Sequence, residues 1–417
     1  MTRALVLTII VLAWAACAGT PSGPGAADAP LGSPDGGAGP VDAPQSRADA
    51  RAPDARAVGP DAALRDAPVK PPDARPGTPD ARPGTPDAGP GAPDAPTSPC
   101  GDCPDGYTCG TANGLPVCRS DATGIPLFTH VTVIVMENLS LSELDESDNV
   151  MVSPFLQSLK TSAAYSTNYH GVTHPSLPNY LAMTSGDDFG VGCDCTPQGD
   201  GDCGTFSCTI LTHSCSCPQS TDHLGDQLEA AGRSWRAYGE SMGRDTPCRM
   251  DTDSLYAARH VPFVYYDDLQ IDAGRCAQHV VDFSYLADET VVPDYVFIAP
   301  NLTNDMHDPV LGGHGPNIMH GDTWLSQTGV PGVTGRSAYK NGGLLVIVWD
   351  EDDYSGVFSD DDPIPMFVLS PYAKTGYTSS VHADHYSLLA TIEDGLNLPR
   401  LANAVLADPL SDFFPPE

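Results

Sequence analysis

The sequence predicts an α/β fold, a largely parallel central sheet layered between helices, over residues 126–417. Short runs rich in Val and Ile recur through this region, apolar at every position rather than at alternate ones. That is the pattern of strands covered on both faces. Stretches with helical spacing separate them, so strand and helix alternate along the chain. Acidic and amide residues come directly after three of the apolar runs, where an open α/β sheet forms its ligand site.

The chain before residue 126 reads differently. Arg3 opens an apolar core, Ala4 to Ala16, that ends in small residues before Cys17, the form of an export signal over residues 1–17. The core is short for a membrane span. Ala15-Ala16-Cys17 resembles the bacterial lipoprotein cleavage box, with Trp14 where an aliphatic residue is usual. Thirteen cysteines less Cys17 leave twelve, an even number for disulfides, and plain cleavage nearby is the alternative. Residues 18–97 are dominated by Asp, Ala, Pro and Gly, lack aromatics, and repeat Arg-Pro-Gly-Thr-Pro-Asp-Ala at Arg75 and Arg82. Such a stretch buries too little apolar surface to offset its ordering entropy, so it is expected as a disordered, semi-extended spacer. Residues 98–120 form a small module in which Cys100, Cys103, Cys109 and Cys118 are expected to make two disulfides, because an exported chain meets an oxidising compartment.

Within the main domain, His130–Met136 is expected as a buried strand and Pro154–Ala164 as a helix. His174-Pro175-Ser176-Leu177-Pro178-Asn179-Tyr180 opens a second helix, with Ser176 where an N-cap would stand. Ser234–Tyr238 is a weaker strand. Asp294–Ala299, Leu344–Trp349 and Ile364–Ser370 are further strands, and Tyr386–Asn397 is a closing helix. Six cysteines between Cys193 and Cys217 belong to a disulfide-linked insertion, and Cys248 and Cys276 are expected to pair.

The chemistry lies in the residues just beyond the strands. Met136 leads into Glu137-Asn138, Ala299 into a loop carrying Asp305, His307 and Asp308, and Trp349 into Asp350-Glu351-Asp352-Asp353. Three strands thus deliver hard oxygen donors and a histidine to one edge, a combination that suits a divalent cation. A hydroxyl at a helix N-terminus, Ser176, lies where a phosphate is readily held. The net charge of −34 argues against nucleic acid or an anionic membrane surface as partner. It leaves room for a phosphate-bearing small molecule beside a bound cation.

The main domain resembles the phosphoesterase family of secreted acid phosphatases and phospholipases C, a branch of the alkaline phosphatase superfamily. The likeness runs from about Thr129 to Phe414. It is carried by Val133-Ile134-Val135-Met136-Glu137-Asn138-Leu139-Ser140, the His174–Tyr180 segment, Ala258-Arg259-His260, and Pro300-Asn301-Leu302-Thr303-Asn304-Asp305-Met306-His307-Asp308. Gly321-Asp322-Thr323-Trp324-Leu325, Trp349-Asp350-Glu351 and His385-Tyr386-Ser387-Leu388-Leu389 complete the set in family order. The resemblance implies one divalent metal ion held by Glu137, Asn138, Asp350 and Glu351, with Ser176 completing its sphere and acting as nucleophile. It implies that His260, His307, Asp308 and His385 hold phosphoryl oxygens and handle protons, the imidazoles standing in as charged groups for a second cation. Leu139 and Val261 depart from the family pattern, where Arg or His and Asn are common. His314, His320, His382 and Asp384 stay unassigned. The implied activity is that of an exported or lipid-anchored acid phosphatase acting on a small phosphate ester or a lipid headgroup. A phospholipase C or phosphodiesterase is the alternative within the family, and a non-catalytic metal-binding surface protein the alternative from another class.

Overall fold

The computed structural model describes residues 98–199, 217–307, 315–352 and 362–416. The export signal and spacer expected over 1–97 lie outside them. The described chain opens with a hairpin, β1 (Tyr107–Ala112) paired antiparallel with β2 (Leu115–Ser120). Its two turn residues, Asn113 and Gly114, both take positive φ, as a tight hairpin turn demands. Cys100–Cys109 and Cys103–Cys118 staple it. The module packs on the main domain. Ala112 and Val117 are buried in the common core, the Tyr107 hydroxyl donates to the Asp394 carbonyl, and the Asn113 amide donates to the carbonyls of Pro371 and Ala373 at 2.9 and 2.7 Å.

The main sheet is built from β3 (Val131–Met136), β4 (Ala164–Ser166), β5 (Trp235–Gly239), β6 (Val280–Asp282), β7 (Tyr295–Ala299), β8 (Leu344–Trp349), β9 (Met366–Leu369) and β10 (Tyr377–Ser379). They lie in the order β10-β4-β9-β8-β3-β7-β5-β6. Only β9 runs against the rest, pairing antiparallel with β8 and β4. The expected α/β/α sandwich with a largely parallel sheet is the observed architecture. β3, β7 and β8 are buried at every residue, which is why their sequences are apolar apart from Thr132. Because β3 is flanked by β8 and β7, both parallel to it, the three acidic strand ends meet at the centre of one sheet edge.

Four helices matter for the site: α1 (Pro154–Ser162), α2 (Ser176–Ser185), α3 (Gly315–Trp324) and α4 (His385–Gly395). α2 is buried along its whole length, so it carries apolar residues all round rather than one stripe. It ends at Gly186, left-handed at φ 78°, where a Cβ would stand 2.7 Å from the Leu401 carbonyl oxygen. The Asp322 carboxylate accepts the Leu156 and Phe155 amides at 2.8 and 3.2 Å and so caps α1 from a distance. Asp384 caps α4 by accepting from the Ser387 amide at 2.9 Å. Cys248–Cys276 pair as expected, and Cys195–Cys217 closes part of the insertion, most of whose remaining cysteines lie outside the described residues.

Candidate active site

Ser176 is the first helical residue of α2, not its cap. Pro175 takes the N-cap position, and the Ser176 hydroxyl turns to side chains instead of the helix backbone. Its Oγ lies 3.1 Å from Oε2 of Glu137 and 2.9 Å from Oε1 of Glu351, which come from the ends of β3 and β8. The loop that delivers it is fixed by Asn179, three residues on. The Asn179 side chain accepts the Val172 and Thr173 amides at 2.7 and 3.2 Å and donates to the carbonyls of Thr173 and Pro175. Gly171 lets this loop lie against β8, since a Cβ there would sit 3.0 Å from the Asp350 carbonyl oxygen.

The acids are buried and crowded. Glu137 and Asp350 are fully buried and Glu351 nearly so. Burial, then Asp350 and Asp305, pushes the Glu137 carboxyl well above its ordinary range. Burial raises Asp350 to about 6, and burial with Asp350 beside it raises Glu351 to about 8. Asn138, left-handed at φ 45°, donates its amide to Asp350 Oδ1 at 3.1 Å. Oδ2 of Asp350 and Oδ1 of Asn138 are buried without a hydrogen-bond partner among the described residues. Orphaned buried oxygens beside mutually repelling carboxylates are what a hard divalent cation would satisfy, and this donor set fits one. A second group, His223, Asp226 and Asp268, is already crossed by Arg275, which bonds both carboxylates.

The histidines divide. Both ring nitrogens of His385 are engaged behind the acids, Nε2 on the Asp350 carbonyl at 2.6 Å and Nδ1 on the Tyr169 hydroxyl at 3.0 Å. His260 stacks on Tyr180, and its Nε2 approaches Glu137 Oε1 to 3.0 Å without hydrogen-bond alignment, while Nδ1 lies 3.5 Å from Asp305 Oδ2. Burial pushes His385 down to about 4, and burial followed by Arg259 and His307 holds His260 well below the imidazole range. Burial thus disfavours the charged form at both positions, where the resemblance implies charged imidazoles beside a bound phosphoryl group. His307 is only part-buried, and a positive charge placed on it lowers both Asp350 and His260. Asp308 and His314 lie outside the described residues.

His174 is held towards its charged form. Its Nδ1 pairs with Glu351 and its Nε2 lies 2.8 Å from Asp352. Burial disfavours the charge, but the two carboxylates outweigh it and push the imidazole up to about 10.

A family model described as the Phosphoesterase family matches residues 138–399. The chain belongs to the phosphoesterase family. It is accordingly a hydrolase of phosphoric ester bonds. The chain is 29% identical over 303 residues to a phosphatidylinositol-3-phosphatase of Mycobacterium tuberculosis, covering 70% of this chain and 85% of that one. It is 25% identical over 286 residues to an acid phosphatase of Aspergillus fumigatus, covering 66% of this chain and 56% of the fungal protein. It thus spans little more than half the length of that fungal relative. Among solved structures, a Vibrio parahaemolyticus protein of the alkaline phosphatase superfamily aligns at a TM-score of 0.44 and 11% identity over 72% of each chain.

In this phosphoesterase, several motif residues turn out to be scaffold. Asp322 caps α1, and Trp324 and Asn304 donate to Glu240, tying the loop after β7 to the end of β5. Conversely, sequence reasoning gave no role to His174, Asn179 and Tyr180, which lie against the acids or fix the loop carrying Ser176. Tyr180 donates its hydroxyl to Glu137 Oε1. A signal for two of them was present, because Asn179 and Tyr180 lie three and four residues after Ser176 and so share its face of α2.

Proposed function

We propose that this phosphoesterase is an exported phosphomonoesterase that works through a phosphoserine at Ser176 and one divalent cation. The observation that carries the reading is the hydroxyl of Ser176 held between the carboxylates of Glu137 and Glu351, with Asp350 Oδ2 and Asn138 Oδ1 orphaned beside them. Glu137, Asn138, Asp350 and Glu351 would hold the cation, which when bound supplies Lewis acidity that favours the Ser176 alkoxide and balances phosphoryl charge.

The chain's own residues do the rest. Ser176 Oγ attacks phosphorus, forming the serine–phosphorus bond as the ester oxygen departs, and water then cleaves phosphoserine to inorganic phosphate. The Ser176 proton leaves to solvent water as the hydroxyl ionises, and Glu137 and Glu351 keep its oxygen in place. His307, part-exposed where His260 and His385 are sealed, is the donor to the leaving oxygen, with Asp308 beside it in sequence. His260, His385 and Tyr180 are positioning residues that hold Glu137 and the end of β8, in the way ligand-bearing groups are commonly braced from behind.

Disulfides in the described region support an oxidising, extracytoplasmic setting, and no described helix is long and apolar enough to cross a membrane. Attachment through a lipidated Cys17 is the anchoring we infer, and mass spectrometry of the mature N-terminus tests it. The matched relatives carry phosphatase names, and the mycobacterial one is named for a monoester on a lipid headgroup. Phosphatidylinositol phosphates therefore belong in the substrate panel beside soluble monoesters, with phosphatidylcholine and diesters as controls. Ser176→Ala should remain folded and lose nearly all turnover on every ester. Elemental analysis of active, dialysed enzyme should find one equivalent of metal. Turnover by Ser176→Ala at the wild-type rate, or two equivalents both required, would overturn the scheme.

A further inference from the structure

Arg259 follows β5 at some distance and immediately precedes His260, yet neither the nucleophile nor the acids bond to it. Its side chain is about four-fifths buried, and its Nε is sealed from solvent. Among the described residues this guanidinium makes one ion pair, at 3.6 Å with Oδ2 of Asp194, too long for a hydrogen bond. Burial disfavours its charge, and Asp194 and then Glu137 hold it cationic. A buried guanidinium whose donors are unused is costly unless something completes it.

Asp194 explains what that something is. Its other oxygen, Oδ1, accepts the Leu177 amide at 3.0 Å, and Leu177 is the residue after the Ser176 nucleophile on α2. One carboxylate therefore spans a guanidinium and a backbone N–H beside the attacking hydroxyl. Two oxygens of a phosphate monoester would take the same pair of contacts. The backbone of Asp194 is fixed, since Cys195 is bridged to Cys217 and its carbonyl accepts the Tyr265 hydroxyl at 2.7 Å. Its side chain is about one-third exposed, so it has room to leave.

We propose that Arg259 and the Leu177 amide form the receptor for the non-bridging phosphate oxygens, and that the Asp194 carboxylate occupies this receptor until a phosphate displaces it. The assignment rests on Ser176 being the site of phosphoryl transfer. It makes Arg259 a substrate-binding residue and Asp194 a built-in competitor that favours dianionic monoesters, which outbid a single carboxylate, over monoanionic diesters.

The test uses the full mature chain and inorganic phosphate as probe, read by titration calorimetry and by competitive inhibition of monoester turnover. Arg259→Gln should weaken phosphate binding at least tenfold while its melting temperature stays within a few degrees of wild type. Arg259→Lys should recover part of the loss, a point charge replacing a fork. Asp194→Asn should tighten phosphate binding about threefold or more and lower KM for monoesters with little change in kcat. If Arg259→Gln binds phosphate like wild type, the receptor is misassigned. If Asp194→Asn weakens binding as Arg259→Gln does, Asp194 orients Arg259 and the competitor role is wrong. A wild-type chain that binds phosphate and obeys these variants but hydrolyses no ester would sink the phosphomonoesterase reading and leave the receptor standing.

Discussion

Replacing Tyr180 by Phe removes one oxygen atom and isolates a single contact. The hydroxyl donates to Oε1 of Glu137, a carboxylate with no exposure to solvent. The ring itself stays packed, stacked on His260 at 5.4 Å between centroids and edge-on to Phe297 at 6.2 Å, so no cavity opens. His260 Nε2 is 3.0 Å from the same oxygen but misaligned, so Glu137 Oε1 loses its one well-directed donor among the described residues. A hydrogen bond to a charged group contributes about 1.5–3 kcal/mol. Metal binding needs Glu137 ionised, and the lost donor favours its protonated form, so the whole of that term falls on the cation. At about 1.4 kcal/mol per decade this is roughly a 10- to 150-fold loss of metal affinity, in line with other residues that brace metal ligands. The assay is a metal titration of chelator-stripped Tyr180→Phe at several pH values, followed by calorimetry. The affinity curve should move to higher pH, and turnover should return at saturating metal. Unchanged affinity with an unchanged pH midpoint would refute Glu137 as a ligand or Tyr180 as its support.

The same geometry gives three further outcomes. In chelated protein, Glu351 at about 8 and Asp350 at about 6 bind protons that the unfolded chain, with carboxyls near 4, does not. Stability contributed by these groups should therefore fall as pH rises from 5 to 8, and added cation should raise the melting temperature more at pH 8 than at pH 5; an equal gain at both would contradict the crowded-acid account. Asp322→Ala strips two amides of their cap on α1 and should cost about 1–2 kcal/mol, seen as a melting temperature lowered by a few degrees with kcat unchanged. A chain beginning at residue 98 should match the mature protein in both stability and turnover. One beginning at 126 should keep its turnover at low temperature but melt earlier, because it loses the buried Ala112, Val117 and Ile125 and the Asn113 bonds; equal melting would show the hairpin to be an appendage.

The layered α/β class, the long strands and the position of the acids were legible because each is a local consequence of composition. Strands covered on both faces must be apolar throughout, so β3, β7 and β8 announce themselves, and Glu137, Asn138, Asp350 and Glu351 come directly after two of them. The strands β4, β6 and β10 carry three residues each, too few for any pattern, and exist because neighbouring strands recruit them. The reversal of β9 is likewise a matter of what it pairs with. Residue type gave the candidates for proton transfer, but not their state. Burial behind the carboxylates disfavours charge on His260 and His385, whereas two carboxylates from the end of β8 close on His174 and favour it. Protonation depends on burial and on partners distant in sequence, and those are fixed only when β8, the His174–Ser176 loop and the Arg259–His260 turn come together around Glu137.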